Sequence, residues 1–336
     1  MLLKTIDFLC SEMKNLPDPF SISTTVQREA AALALFRHQA VHCDIYRRYL
    51  EAIHVRYDDI QQAADIPYLP IAFFKTHRVV SGEFNPEVIF TSSGTTGMQT
   101  SRHEVRALDV YRRSFQRGFE LQYGSPSDYV IYALLPSYLE REGSSLILMA
   151  EELIAQAQPG SGFFLKHHEE LRDALLRSEA EGKKNLVLGV TFALLDFAEA
   201  MPTELPHTIF METGGMKGRR KEMIREEVHR VLKEAFQVAH VHSEYGMTEL
   251  LSQAYSQGEG VFCCPPWMAV TVRDVQDPLS NYTTGKGGLN IMDLANIDSC
   301  AFIATQDLGV VHGDGRFEVT GRYDFADVRG CNLMVV

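Results

Sequence analysis

No apolar run in this 336-residue sequence approaches the roughly 20 residues that a membrane-spanning helix needs. The opening stretch, Met1 to Asn15, also lacks the apolar core and small-residue cleavage site of a secretory signal. A soluble, cytoplasmic protein with no membrane partner is therefore expected. Basic charge is short too: 32 Lys and Arg stand against 44 Asp and Glu, for a formal net charge of −12. Such a surface repels a polyanion over most of its area, so general nucleic-acid binding is disfavoured. A nucleotide is not, because its phosphates need only a local site. The six cysteines (Cys10, Cys43, Cys263, Cys264, Cys300 and Cys331) are scattered through a chain long enough to bury a large core. Reduced thiols are expected rather than a disulfide framework, and one of them could act as a nucleophile.

Several catalytic signatures are missing as well. Neither a GxSxG elbow nor an HExxH helix is present, which removes the usual grounds for a hydrolase or metalloprotease. There is no GxxxxGK[ST] and no GxGxxG in a βαβ setting, so a P-loop NTPase or a dinucleotide-binding enzyme is disfavoured. Cys263 and Cys264 lie near His240 and His242, but adjacent cysteines lack the separation that zinc sites use. His103, His167 and His168 are expected at the surface.

What is there is an ordered alternation. Residues 1–65 read as a helical segment, with Leu33, Phe36, Ala40, Cys43, Tyr46, Tyr49 and Leu50 roughly on one face. Pro67 and Pro70 end it. Residues 66–260 read as an α/β nucleotide-binding core. Strands are expected at Asp128–Leu135, Asn185–Val190, His207–Glu212 and Ala239–His242, and helices at Ser145–Gln156, Phe192–Ala200 and Lys221–Gln237. That pattern implies an α/β layered fold with a largely parallel sheet. Residues 261–322 change character. Short β-like runs at Met268–Asp274, Leu289–Met292, Ala301–Thr305 and Arg316–Thr320 suggest a smaller β-rich subdomain, and 323–336 reads as a hinge-like tail.

The apolar strand Val88-Ile89-Phe90 runs straight into Thr91-Ser92-Ser93-Gly94-Thr95-Thr96-Gly97. Glycines admit phosphate close to the backbone, exposed N–H groups form an anion nest, and hydroxyls add donors. A flexible surface turn has the same composition, so the loop by itself decides nothing.

Its company does. Ser93-Gly94-Thr95-Thr96-Gly97 resembles the phosphate loop of the adenylate-forming superfamily, which includes acyl-CoA synthetases and peptide-synthetase adenylation domains. Thr213-Gly214-Gly215, Tyr245-Gly246-Met247-Thr248-Glu249, Thr305-Gln306-Asp307 and Gly321-Arg322 follow in the superfamily's order. The resemblance implies that ATP and Mg2+ are used. Ser92 to Gly97 would hold phosphates, and Gly214 and Gly215 would pack on adenine. Tyr245, with Gly246, Met247 and Thr248, would stack on the base. Asp307 and Arg322 would hold the ribose. Glu249 would bind magnesium and act in catalysis, with Thr95 as a second metal ligand. Within the superfamily the chain is most similar to the LuxE-type acyl-protein synthetases, through Leu69-Pro70-Ile71-Ala72-Phe73-Phe74-Lys75, Pro136-Ser137-Tyr138-Leu139, Gly143-Ser144-Ser145-Leu146 and the stretch around Arg329-Gly330-Cys331-Asn332. Cys331 sits where that family carries its acyl group.

The fold so implied is the adenylate-forming N-terminal domain without its C-terminal lid. The superfamily's lid carries a lysine that contacts the reacting carboxylate, and Thr100 stands where many relatives have a lysine beside the loop. Three readings stay open: slow adenylation, another cation such as Lys217, Lys75 or Arg329, or lost activity. The expected reaction is ATP-dependent activation of a carboxylic acid, fatty or aromatic, with transfer to a thiol. That thiol is Cys331, coenzyme A, or an acyl reductase or carrier protein partner. The alternatives are an acyl-CoA ligase and a catalytically weak nucleotide- or acyl-binding partner in a larger complex.

Overall fold

A Thr24–Gln27 capping box starts the first helix. Gln27 N–H donates to Thr24 Oγ1 at 3.2 Å, and Thr24 N–H donates to Gln27 Oε1 at 3.2 Å. Two orphan donors are thereby satisfied before any tertiary contact forms. The computed structural model describes residues 16–92, 99–136, 143–165, 167–214 and 223–322. In it, α1 (Thr25–His42) and α2 (Asp44–Ala52) are followed by β1 (Leu69–Pro70), α3 (Phe73–Thr76), β2 (Val88–Thr91) and β3 (Arg102–Val105). Then come α4 (Leu108–Tyr123), β4 (Tyr129–Leu134), α5 (Ser145–Gln156), β5 (Gly162–Phe163), α6 (His168–Ala180) and β6 (Lys184–Gly189). α7 (Thr191–Ala200), β7 (Thr208–Glu212), α8 (Arg225–Phe236), β8 (His242–Tyr245) and β9 (Ala254–Ser256) complete the α/β part. The rest is strand: β10 (Val261–Phe262), β11 (Met268–Arg273), β12 (Gly285–Asp293), β13 (Phe302–Val311) and β14 (Phe317–Arg322).

Two six-stranded sheets result. The first runs β5-β4-β6-β7-β8-β9 and is parallel except at β8–β9. All six residues of β4 are buried, as in a parallel strand covered on both faces. The second runs β10-β14-β13-β12-β11 and is antiparallel, with β1 added parallel to β13. Strands β2 and β3 form a separate antiparallel ribbon. The structure is therefore α/β, and its sheets are of mixed orientation.

The helical segment docks on the second sheet. Buried Gln39 on α1 donates to Asn296 O at 2.8 Å and accepts from Ala301 N–H at 2.9 Å. Tyr46 packs on Phe36 and Phe302 with ring centroids 6.0 and 6.3 Å apart. Such aromatic contacts add to ordinary burial and fix the docking angle.

Some boundaries differ from expectation. α5 starts and ends where the sequence placed it. β8 lies three residues later than Ala239–His242, because its pairing with β7 begins at His242 and that with β9 runs to Tyr245. Its buried Ser243 and Glu244 hid a strand from a hydrophobicity reading. Helix α8 starts at Arg225; Lys221 and Glu222 lie outside the described residues. β12 and β13 are longer than expected because their glycines read as breakers. A Cβ at Gly287 would sit 2.2 Å from Arg273 O, and one at Gly309 2.1 Å from Glu318 O. These glycines permit close strand approach and leave the ladder unbroken. Helices α4 and α6 were not anticipated.

Candidate functional site

A cleft of about 690 Å³ opens where the carboxyl ends of β7 and β8 meet β13 and β14. Open α/β sheets bind ligands at the carboxyl ends of their strands. After β7 the chain turns at Thr213 and Gly214, the latter at φ +72°, a left-handed conformation that suits glycine. Across the cleft, Asp307 on β13 lies directly opposite Arg322 on β14. Tyr245, at the end of β8, donates its phenol to Asp307 Oδ2 at 2.7 Å. Arg322 Nε lies 3.7 Å from Asp307 Oδ1. Burial and the Asp307 charge push the Tyr245 phenol up, so it stays a proton donor. Its ring leans on Phe262 and Phe317, with centroids 5.7 and 5.3 Å away.

Beyond the Tyr245-Gly246 turn, Met247 and Glu249 also line the cleft. Glu249 is 5% exposed, and burial raises its carboxyl, opposed by Ser101, Arg322 and Lys75. Thr248 is held from behind. Its carbonyl accepts a 2.9 Å hydrogen bond from His103 Nδ1, and His103 Nε2 lies 3.1 Å from Ser299 Oγ. A carbonyl only accepts, so Nδ1 carries the proton and Nε2 accepts from the serine. His103 is buried, not at the surface as expected, and burial lowers it to about 4. Its role is to brace the turn.

Structure thus unites Gly214, Tyr245, Gly246, Met247, Glu249, Asp307 and Arg322 around one cleft. Ser92 lies at the end of β2, where its Oγ accepts from Ser101 N–H at 2.9 Å. Ser93, Gly94, Thr95, Thr96, Gly97, Gly215, Lys217, Arg329 and Cys331 lie outside the described residues. Among the described residues, no group of three or more His, Cys, Asp or Glu is arranged to hold a metal. Burial pushes up the thiols of Cys43, to about 11, and Cys264, to about 12, and also that of Cys300. These three stay protonated at neutral pH and are poor nucleophiles.

Sequence reasoning missed a buried polar group beneath the cleft. Glu212 Oε2 accepts from Gly214 N–H at 2.7 Å and from Thr191 Oγ1 at 3.0 Å. Its Oε1 lies 3.4 Å from Arg225 Nε and 3.9 Å from His229 Nε2. Arg225 also donates to Val319 O at 3.0 Å and covers the Phe262 ring, which ties the first sheet to the second. Burial opposes ionisation of Glu212, but His229, Arg225, Ser243 and the Gly214 N–H prevail and hold it at about 2. The only signal in the sequence was a glutamate directly before Thr213-Gly214.

The sequence of residues 10–132 matches the family described as acyl-protein synthetase, LuxE. A long-chain-fatty-acid–luciferin-component ligase from Photorhabdus luminescens is 42% identical over 74 residues, which are 22% of this chain and 63% of that protein. The chain thus spans less than two thirds of that relative. A 2-hydroxyisobutyryl-CoA ligase, solved with 2-HIB-AMP and CoA in the thioesterification state, superposes with a TM-score of 0.64 at 15% identity. That superposition covers 90% of this chain and 70% of the ligase. No helix among the described residues is long and apolar enough to cross a membrane. By sequence, residues 10–132 are similar to the LuxE acyl-protein synthetases, and the chain has an α/β fold similar to that of the 2-hydroxyisobutyryl-CoA ligase.

Proposed function

We propose that the chain activates a carboxylic acid with ATP and passes the acyl group to a thiol. The observation that carries this reading is the Tyr245–Asp307–Arg322 cluster on the wall of the cleft. It offers an aromatic face for a base, a carboxylate for ribose hydroxyls, and a guanidinium beside them. In the first step a carboxylate oxygen attacks the α-phosphorus, the bond to the β-phosphate oxygen breaks, and pyrophosphate leaves. In the second a thiolate attacks the acyl carbon, a C–S bond forms, and AMP departs with its oxygen. Positioning and charge neutralisation supply most of the acceleration in such displacements.

Glu249 fits magnesium brought in on the ATP phosphates. It is a hard oxygen donor on the cleft wall, and magnesium is usually held by one or two carboxylates together with substrate phosphates. Bound there, the ion would neutralise phosphate charge. Thr95 is proposed as its second ligand and Cys331 as the thiol, with coenzyme A or a carrier protein as alternative acceptors.

Carboxylate-dependent ATP–pyrophosphate exchange tests the reading. Exchange with one group of acids, and its loss by at least about tenfold in Glu249→Gln, is the expected result. Nucleotide binding without exchange for any fatty, aromatic or amino acid would overturn it.

A further inference from the structure

The ladder between β12 and β13 is interrupted at the cleft. Gly288 pairs with Leu308 and Asn290 with Ala304, so Leu289 alone faces Thr305, Gln306 and Asp307. Those three residues of β13 all line the cleft. A bulge bends its strand locally and re-aims the side chains it carries. This one brings Asp307 out to the wall, within reach of the Tyr245 phenol.

A bulge also takes ladder partners away from backbone carbonyls, and buried carbonyls then need other donors. Here side chains supply them. Thr305 is 1% exposed; its hydroxyl donates to Leu289 O at 2.8 Å and accepts from Asp307 N–H at 3.1 Å. Arg273, the last residue of β11, supplies the rest. Its Nη1 donates to Leu289 O at 2.7 Å and to Asn290 Oδ1 at 2.8 Å, and its Nη2 donates to Thr305 O. One guanidinium thus joins both sides of the bulge. It crosses β12 at Gly288, the residue that pairs with Arg273. A Cβ on Gly288 would lie 2.8 Å from Arg273 Cζ and 3.0 Å from Nη2, so glycine leaves the path open. An ammonium is a single point of attachment, whereas the planar fork of arginine reaches two carbonyls at once.

We propose that Arg273 is a positioning residue for the nucleotide: by clamping the bulge at Leu289 and Thr305, it fixes where Asp307 meets the ribose hydroxyls. This rests on the reading of Asp307 as the ribose ligand. Tyr245 orients the carboxylate from within the cleft, and Arg273 sets the backbone that carries it from two strands behind. Losing the guanidinium releases Thr305 O and Leu289 O and lets the bulge rearrange. Only the part of nucleotide binding that depends on the ribose hydroxyls should then weaken.

Titration calorimetry of the full chain with ATP, 2′-deoxy-ATP and 3′-deoxy-ATP, in magnesium, tests this. The wild-type protein should bind ATP at least about tenfold more tightly than the poorer deoxy analogue, as a hydrogen bond to a carboxylate implies. Arg273→Met keeps the length of the side chain and loses its donors. It should bring that ratio to within about threefold by weakening ATP while leaving the analogue nearly unchanged. Arg273→Lys should recover part of the preference. Gly288→Ala, which drives a methyl group into the guanidinium, should lower the ratio too and decides the matter if the methionine variant does not fold. In an Asp307→Ala background, Arg273→Met should leave the ratio where Asp307→Ala put it, because the arginine acts through the aspartate. A ratio that keeps its wild-type value in the folded variants, with all three nucleotides weakened alike or not at all, would overturn the assignment and leave Asp307 as the ribose ligand. Equal affinities of the wild-type protein for ATP and both analogues would remove the ribose reading and this proposal with it.

Discussion

The phenol of Tyr245 on the first sheet is hydrogen-bonded to Asp307 on the second at 2.7 Å, so one contact closes one side of the cleft and orients a proposed ribose ligand. Asp307 turns its other oxygen toward Arg322, whose side chain is 69% exposed. The tyrosine therefore does two separable things: its ring is a wall, and its hydroxyl aims a carboxylate.

Removing only the hydroxyl should weaken nucleotide binding moderately. A hydrogen bond to a charged group contributes about 1.5–3 kcal/mol, so Tyr245→Phe is expected to raise the ATP Kd by roughly tenfold or more. Tyr245→Ala loses the ring too and should be worse. Titration calorimetry with ATP and magnesium checks this. Equal affinities for the phenylalanine variant and the wild type would mean that Asp307 needs no help from Tyr245.

His103 braces the Thr248 carbonyl from a wholly buried position. His103→Leu leaves that carbonyl and Ser299 unpaired, with an expected loss of about 2–3 kcal/mol in denaturant unfolding. Glu249 follows directly, so magnesium dependence should shift as well, and His103→Gln, which keeps a donor, should recover part of both. A stability loss with no change in magnesium dependence would confine His103 to a structural role.

Much of this arrangement was legible in the sequence, for reasons that differ by residue. Tyr245, Glu249, Asp307 and Arg322 stood in short motifs whose order carried meaning, and the structure gathers them around one cleft. Helix α5 was legible because Ser144 caps it and its apolar periodicity is clean. The supporting polar groups were not. Glu212, Glu244 and His103 look like surface residues in isolation, and only tertiary neighbours such as Arg225, Gln253 and Ser299 reveal why they are buried. Asp307 falls beyond the expected run Ala301–Thr305, yet it lies within a ten-residue strand whose pairing with β14 shifts register at Leu308 and Gly309.

The proposed acceptor can be separated from three of the other thiols. Cys43, Cys264 and Cys300 are pushed up by burial and make poor nucleophiles. If the chain carries its own acyl group, incubation with ATP, magnesium and labelled acid should leave a hydroxylamine-sensitive label that is lost in Cys331→Ser. A label that survives the substitution would reject Cys331 as the acceptor. Acyl-CoA released without any protein-bound stage would place the transfer on coenzyme A.

Glu212 and Glu244 should give opposite pH limbs to stability. Glu212 is held at about 2 against an ordinary 4.5, so the unfolded chain binds the extra proton. Its contribution is present above pH 4.5 and is lost as pH falls from there toward 2. Burial and the charge of Glu212 raise Glu244 to about 8, so between 4.5 and 8 the folded protein holds a proton that the unfolded chain has released. Stability then declines as pH rises through that window, by at most roughly 1.4 kcal/mol per pH unit, and levels off above it. Glu244→Gln removes the titration while keeping the shape. Urea unfolding of both proteins from pH 5 to 9 should show the wild-type curve falling relative to the glutamine variant, with the gap widening up to about pH 8. Curves that stay parallel would mean that the carboxyl is ionised in the folded protein and is paired by a group other than those seen around it.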